Sequence, residues 1–235
     1  MNDNFIHIKF SRSNLHNYWI RTAILKAIKE NLSRFDGKML DIGCGGMPYK
    51  EWILNNSDVT DYVGLDIESA IVYDQLIKPD FTWDGVTMPF NAESFNCAIG
   101  TEVLEHCPKP EIVLAEVHKV LKPGGVFFFT VPFLWNLHET PHDEYRYTPF
   151  ALERLLKEAG FDDVEIYATG GWHASMAQMI GLYVKRAKIN KVMRRLLEYC
   201  CLILLRILYR LARKEEVTFT EGQMITGLYG VCRKK

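Results

Sequence analysis

The 235-residue chain is 48% hydrophobic and 12% aromatic and has a formal net charge of −1, a composition that suits one globular α/β domain with a sizeable core and excludes a disordered chain. Its six cysteines show no CxxC pair and no Cys/His metal spacing, and the N-terminus MNDNFIHIKF lacks the basic-then-apolar pattern of a signal peptide. We therefore expect a reduced, cytoplasmic protein with neither disulfides nor a bound metal.

Helical and strand-like stretches alternate along the first 170 residues. A leading helix is expected over 14–35 and is followed by KMLDIG, a helix around 48–56, DYVGLDI, a short polar helix near 68–77, DFTWD, FNCAIGT, a helix over 109–121, GGVFFFTVP, a helix over 149–159 and VEIYAT. This alternation predicts a parallel sheet with helices on both faces, and the all-apolar run VFFFTV belongs at its centre.

The segment after VEIYAT is basic. Residues 172–214 hold ten Lys/Arg and one acid, Glu198, so this part carries +9. Its apolar run 196–211 is interrupted by the charged residues Glu198 and Arg206. It therefore lacks the long uncharged stretch that a membrane span needs. The chain ends in MITGLYGVCRKK, whose apolar part reads as a last strand.

We interpret the chain as a single domain over 1–235. Its parts are an N-terminal helical cover (1–36), a ligand-binding core (37–170), a basic and apolar helical insertion (172–215) and the final strand (224–235).

The stretch KMLDIGCGGMP (38–48) is the first strand-turn-helix, which in open α/β sheets forms part of the ligand site. Phosphate is disfavoured because no Gly-Lys-Ser/Thr follows and Asp41 would repel it, and a dinucleotide is disfavoured because Pro48 occupies the position of the third glycine. Asp41 suits a ligand with an ammonium group or hydroxyls, although it could equally tie down the turn. Asp66 and Asp84 follow at successive strand ends.

These motifs resemble the class I S-adenosylmethionine-dependent methyltransferases, in order and spacing, over roughly residues 36–165. LDIGCGG is similar to their first motif, GLDI to the ribose-binding strand end, Asp84 to Phe90 to the adenine-side loop, FNCAIGTEVLEH to the fourth strand and LKPGGVFFFTVP to the fifth. The resemblance implies a Rossmann-like, doubly wound, seven-stranded sheet whose last strand is antiparallel and follows a helical insertion.

The resemblance also implies S-adenosyl-L-methionine as cofactor. The turn would lie against its methionine and ribose part, Asp66 would hold the ribose hydroxyls and Asp84 the adenine amine, and Thr101 and Glu102 would line the methionine end. The full set of expected cofactor-binding residues is Asp41, Gly43, Cys44, Gly45, Asp66, Ile67, Asp84, Gly85, Thr101, Glu102 and His106.

The loop after the fifth strand, VPFLWNLHETPHDEYRYTPF (131–150), holds the densest set of titratable and aromatic groups. His138 or His142 is the expected general base, with Asp143 or Glu139 as orienting partner, because imidazole titrates near neutral pH. A solvated surface turn is the alternative. Expected acceptor-binding residues are Glu139, Tyr145, Arg146, Tyr147, Trp172 and His173.

The pattern HETPHDEYRYT resembles methyltransferases of sugar and cell-surface polysaccharide pathways. We therefore expect methyl transfer, by preference to oxygen, on a small-molecule, glycan or lipid-linked acceptor. The alternatives are an RNA or protein methyltransferase and a non-catalytic cofactor-binding subunit; nucleic acid is disfavoured because FNCAIG is not followed by Asn/Asp-Pro-Pro-Tyr.

The basic segment 185–213 suits a helix at an anionic membrane face, which would make the enzyme peripheral. It suits equally a helix packed on its own domain or in a homodimer interface.

Overall fold

The computed structural model describes the backbone of residues 3–68 and 78–235, with side chains from Phe5 onward. The short polar helix expected near 68–77 falls almost entirely outside the described residues. Seven helices lie at Asp3–Ile6 (α1), Tyr18–Asn31 (α2), Lys50–Asn56 (α3), Pro110–Val120 (α4), Pro149–Glu158 (α5), Trp172–Arg186 (α6) and Lys191–Ala212 (α7) within the described part. Single 3₁₀ turns occupy Arg12–Asn14, Leu32–Arg34 and Leu104–His106.

The strands are β1 Asp36–Ile42, β2 Asp58–Ile67, β3 Phe81–Trp83, β4 Phe95–Thr101, β5 Leu121–Pro132, β6 Phe161–Ala168 and β7 Gly227–Lys234. They form one sheet in the order β3-β2-β1-β4-β5-β7-β6. Strands β1 to β5 are parallel, whereas β7 runs antiparallel to both β5 and β6. The expected seven-stranded, Rossmann-like sheet with an antiparallel last strand is confirmed.

The central strand β5 is buried on both faces, as its apolar sequence predicts. Phe127 and Phe129 belong to the core under α4 and α5, while Val126 and Phe128 belong to the opposite core under α2 and α3. The alternation of side chains along β5 thus supplies both layers.

Local sequence signals start the helices. Thr148 caps α5 by accepting a hydrogen bond from the Ala151 N–H, and Pro149 occupies the first helical position. Asn190 caps α7 in the same way through the Met193 N–H.

The basic segment forms two helices, α6 and α7, separated by residues 187–190. They pack on each other and on residues Leu15, Tyr18 and Trp19, which gives a third apolar cluster. No helix in the described part of the chain has both the length and the apolar character that crossing a bilayer requires.

Candidate functional site

A pocket of about 800 Å³ lies beyond the carboxyl ends of β1 to β4. This is the position at which open α/β sheets bind ligands, and the volume suits a drug-sized molecule. Residues of the sequence analysis that line it are Gly43, Gly45, Asp66, Ile67, Asp84, Gly85, Glu102, His106, Glu139 and His142.

The glycine turn after β1 has the backbone that its sequence predicts. Gly43 has φ +61° and Gly45 has φ +47°, in the left-handed region that favours glycine. A Cβ on Gly43 would lie 2.6 Å from a methyl carbon of Val103, so a larger residue does not fit there. The backbone can therefore come close to whatever fills the pocket.

Asp66 joins the ends of β1 and β2. Its carboxylate accepts the Gly45 N–H and the Ile67 N–H, both at 2.9 Å. Burial raises its pKa. A carboxylate offers about four acceptor positions, so capacity remains for ligand hydroxyls.

Asp84 has a more exposed position on the loop after β3. Its Oδ1 accepts the Thr87 and Val86 N–H groups at 2.9 and 2.8 Å, and these bonds lower the pKa of its carboxyl. Gly85 beside it has φ +81°. Asp84 is thus ionised and lies at the pocket edge, and its Oδ1 is occupied by hydrogen bonds from the backbone of the turn.

Three of the expected cofactor-binding residues do not line the pocket. Asp41 is buried beneath the turn, where Tyr62 donates a hydrogen bond to its Oδ2 at 2.7 Å and burial raises its pKa to about 7. Cys44 is buried close to Gly64. Thr101 ends β4. The hydrogen bond to Asp41 comes from a side chain of β2 and not from a backbone N–H of the turn.

Glu102 lines the pocket in a constrained conformation. Its φ of +55° is rare for a residue with a side chain, and such strain concentrates at functional sites. Thr130 holds it from both sides, accepting the Glu102 N–H and donating from Oγ1 to Glu102 Oε1 at 2.8 Å. Burial raises the pKa of this carboxyl.

The loop after β5 is organised by Asp143, whose side chain is 1% exposed. Arg146 donates to its two oxygens at 2.6 and 2.9 Å, and the resulting pKa of Asp143 is about 2. The backbone N–H and Nδ1 of His138 contact the same carboxylate at 3.1 and 3.3 Å. Asp143 therefore orients His138, and Arg146 holds the Asp143 carboxylate in place through two hydrogen bonds.

The structure separates the two histidines proposed as base. His142 lines the pocket together with Glu139, whereas His138 does not line it and packs its ring edge-on against His106 with centroids 4.7 Å apart. Burial lowers the pKa of His138. His106, in the pocket wall, places its Nδ1 2.8 Å from the His142 carbonyl oxygen.

The remaining residues proposed for acceptor binding lie outside the pocket lining. Tyr147 is buried with its hydroxyl on the Leu104 carbonyl, and Tyr145 stacks on it. Trp172 and His173 begin α6, and their N–H groups donate to Glu215.

Other residues that line the pocket were not predicted from the sequence: Ile42, Glu68, Trp83, Val86, Val103, Cys107, Pro108, Lys109, Ile112 and Val113. Glu68 and Trp83 stand at the ends of β2 and β3, so strand-end position was the signal available for them. Glu105, in the stretch TEVLEH, is a further residue that the sequence did not single out. It is fully buried behind His106, and burial raises its pKa well above the usual value.

Comparisons with known proteins agree with this architecture. Residues 40–129 match the family model described as "Methyltransferase domain". A sterol 24-C-methyltransferase of Debaryomyces hansenii is 35% identical over 137 residues, which are 54% of this chain and 34% of that protein. A ubiquinone biosynthesis O-methyltransferase of Pseudomonas syringae pv. tomato is 29% identical over 142 residues, 49% of this chain and 57% of that protein.

Among solved structures, a SAM-dependent methyltransferase from Archaeoglobus fulgidus superposes with a TM-score of 0.57 at 17% identity, over 92% of this chain and 94% of that chain. The fold is therefore shared over almost the whole length, whereas the sequence match to the sterol enzyme spans only about a third of that protein.

S-adenosylmethionine is the cofactor that goes with this domain and fold, and the pocket fits it. The close backbone approach at Gly43, the half-buried acid Asp66 and the exposed acid Asp84 suit a ligand with hydroxyls, an amine and positive charge. Residues 40–129 thus match the methyltransferase-domain family, in a chain that has the fold of solved S-adenosylmethionine-dependent methyltransferases.

Proposed function

We propose that this protein transfers a methyl group from S-adenosylmethionine to an oxygen of a small-molecule or glycan acceptor. The observation that supports oxygen as the methylated atom is the set of titratable groups at one wall of the pocket, where Glu139 and His142 stand beside His106. An undissociated hydroxyl needs a proton acceptor at this point, whereas methyl transfer to many other atoms needs only orientation.

His142 is the proposed base because, of the two histidines in this loop, it is the one that lines the pocket. The cofactor supplies a methyl group already activated on sulfonium sulfur. The carboxyl groups of Glu102 and Asp66 line the same pocket, where they offer hydrogen-bond acceptors to the cofactor. Gly43 and Gly45 let the backbone hold the cofactor closely, so that the chain contributes mainly by orientation.

The relatives' names favour an acceptor with apolar character. One acts on a sterol and one belongs to ubiquinone biosynthesis. The sugar-pathway resemblance of HETPHDEYRYT favours a glycan. A lipid-linked glycan would satisfy both, and we propose that class as the first to screen.

The first experiment titrates the purified chain with S-adenosylhomocysteine and with NAD by calorimetry. We expect binding of S-adenosylhomocysteine alone, and binding of NAD alone would overturn the proposal. The second follows S-adenosylhomocysteine release from S-adenosylmethionine with sterols, quinols, nucleotide sugars and lipid-linked sugars. Release with RNA or protein only would favour that alternative, and binding without release with any acceptor would favour a non-catalytic subunit.

Once an acceptor is found, His142→Ala tests the base. We expect kcat to fall about 10²- to 10⁴-fold with unchanged affinity for S-adenosylhomocysteine, because the proton acceptor is lost and the cofactor contacts stay. His173→Ala, at the start of α6, is the matched control and should keep its kcat. An unchanged kcat in His142→Ala would remove His142 from this role.

We further propose that α6 and α7 bind an anionic membrane surface. Each helix exposes an apolar stripe at helical spacing: Trp172, Met176, Met179 and Tyr183 on α6, and Val192, Leu196, Tyr199, Ile203 and Ile207 on α7. Basic residues of the same segment give it +9. Apolar stripes flanked by basic residues are typical of interfacial helices.

Flotation with vesicles of phosphatidylcholine, with and without phosphatidylglycerol, tests this contact. We expect binding to the anionic vesicles, and loss of it in the double variant Ile203→Glu/Ile207→Glu. Phe150→Glu, an equally exposed apolar residue on α5, is the matched control. Unchanged flotation of the double variant would exclude the membrane role, and a change from dimer to monomer in light scattering would indicate a homodimer interface instead.

A further inference from the structure

Three side chains able to bind a metal ion meet at the wall between the pocket and the loop after β5. They are Glu105 and His106, from the 3₁₀ turn after β4, and His138, from the loop. One ligating atom of each lies within 4.8 Å of those of the other two. None of the three has a task in the proposed proton transfer.

The carboxylate of Glu105 accepts no hydrogen bond from any residue that the structure describes. The residue is 0% exposed, and neither side-chain oxygen is hydrogen-bonded to another described residue. Its own backbone is fixed, because the Glu144 and Tyr145 N–H groups donate to the Glu105 carbonyl. Buried carboxylates are normally paired with a cation or coordinate a metal, since burying an unpaired one is strongly unfavourable.

Arg146 is the nearby cation, but its hydrogen bonds go to groups other than the Glu105 carboxylate. Arg146 donates to both oxygens of Asp143 and to the Tyr145 carbonyl, and no hydrogen bond joins it to Glu105. The group beside the Glu105 carboxylate is His106, whose Nε2 lies 3.6 Å from Oε1.

Both histidines are held as metal-ligating histidines usually are, with one ring nitrogen bound to an oxygen acceptor. His106 Nδ1 donates to the His142 carbonyl at 2.8 Å, and His138 Nδ1 donates to Asp143 at 3.3 Å. A proton on Nδ1 leaves the lone pair on Nε2 of each ring.

We propose that Glu105, His106 and His138 bind one divalent transition-metal ion of the zinc or manganese class. Two imidazoles and a carboxylate are a donor set that such ions accept, and three protein ligands leave coordination positions open. Glu139 Oε2, 3.8 Å from His106 Nε2, stands where a further ligand would come from the pocket side. The spacing of cysteines and histidines predicts no metal in this chain, and the three residues of this site do not follow such a spacing.

The site would give the ion a role in the reaction, and this part rests on the proposed function. A cation next to the pocket wall would polarise an acceptor hydroxyl and lower its pKa. The hydroxyl proton passes to His142, the oxygen forms the new bond to the methyl carbon, and the electron pair of the broken C–S bond returns to sulfur. S-adenosylhomocysteine leaves with neutral sulfur, and the positive charge of the sulfonium ends on the protonated His142.

The test uses the full chain after treatment with EDTA. Mn²⁺ is titrated and followed by electron paramagnetic resonance, because Zn²⁺ would also bind thiols such as the exposed Cys200. We expect one Mn²⁺ per chain, displaced by Zn²⁺, and binding at least tenfold weaker in Glu105→Gln, His106→Ala and His138→Ala. His7→Ala, an exposed histidine far along the chain from these, should bind as the unmodified protein does.

Absence of Mn²⁺ and Zn²⁺ binding, or binding that the three substitutions leave intact, would overturn the proposal. If Glu105→Gln fails to fold, His138→Ala still decides, and its affinity for S-adenosylhomocysteine reports whether the pocket is intact. The two proposals fail separately: metal binding without methyl transfer to oxygen refutes the proposed function alone, and transfer that survives EDTA in a chain that binds no metal refutes the metal site alone.

Discussion

Gly43 lines the pocket in a left-handed backbone conformation that leaves no room for a side chain. We expect Gly43→Ala to weaken S-adenosylhomocysteine binding at least tenfold and to cost about 1–3 kcal/mol of unfolding free energy, because φ is +61° and the new Cβ would press on Val103. Calorimetry and urea unfolding measure the two effects.

Gly46→Ala is the matched control in the same turn. A Cβ there would have no neighbour within 4 Å, so affinity and stability should stay close to those of the unmodified protein. Equal behaviour of the two variants would show that the turn tolerates a side chain at Gly43.

Asp41 gives a pH-dependent prediction. Burial raises its folded pKa to about 7, so between about pH 4 and 7 the folded state holds a proton that the unfolded state has lost. Stability from this residue therefore falls as pH rises through that window, by at most about 4 kcal/mol. Asp41→Asn keeps an acceptor for the Tyr62 hydroxyl and should gain stability relative to the unmodified protein as pH rises.

Urea unfolding at about pH 4.5 and about pH 8 measures this difference. Asp61→Asn, an exposed acid on β2, is the control and should run parallel to the unmodified protein. Parallel curves for Asp41→Asn as well would contradict the assigned effect of burial.

Individual site residues are predictable from the sequence where their position follows from local rules. Gly43, Asp66 and Asp84 stand at strand ends, and the order of the strands along a parallel sheet brings such positions to one edge. The burial of Glu105 and the separation of His138 from His142 could not be predicted, because both depend on how the loop after β5 folds over the 3₁₀ turn.

The expected strands appear at their expected places, whereas the basic insertion, predicted as one helical segment, forms two helices. Its division at 187–190 follows from Asn190, which caps α7 through the Met193 N–H at 2.8 Å. Asn190 is a typical helix N-cap residue, but the basic and apolar residues around it favour a continuous helix.

The Asn190 cap can be tested directly. Asn190→Ala should cost about 1 kcal/mol, because the first turn of α7 loses the acceptor for one N–H group, while Asn190→Asp should retain stability since it keeps that acceptor. Urea unfolding measures the loss, and amide hydrogen exchange at residues 193–197 should show faster opening in the Ala variant. Equal exchange in Ala and Asp variants would mean that packing on α6 alone starts the helix.

For the whole molecule, the uneven charge matters more than the net charge. Residues 172–214 carry +9 in a chain of −1, and they form α6 and α7 and the residues next to them. The methyltransferase-domain match ends at residue 129, so this segment lies outside the matched residues. The charge of α6 and α7 would orient the sheet and its pocket relative to an anionic surface.

This arrangement predicts a salt-dependent association with anionic vesicles. Each basic residue near such a surface contributes about 1 kcal/mol, so Arg195→Gln/Arg210→Gln should weaken binding roughly 30-fold at low salt and less at about 0.5 M NaCl, where screening is strong. Both arginines are exposed on α7, and Lys26→Gln/Lys235→Gln removes the same charge from exposed positions outside α6 and α7. Vesicle sedimentation over a salt series measures both variants.

An equal effect of the two double substitutions would show that net charge alone attracts the protein to the vesicle. Binding that is insensitive to salt and to both variants would mean that the apolar stripes alone cause it.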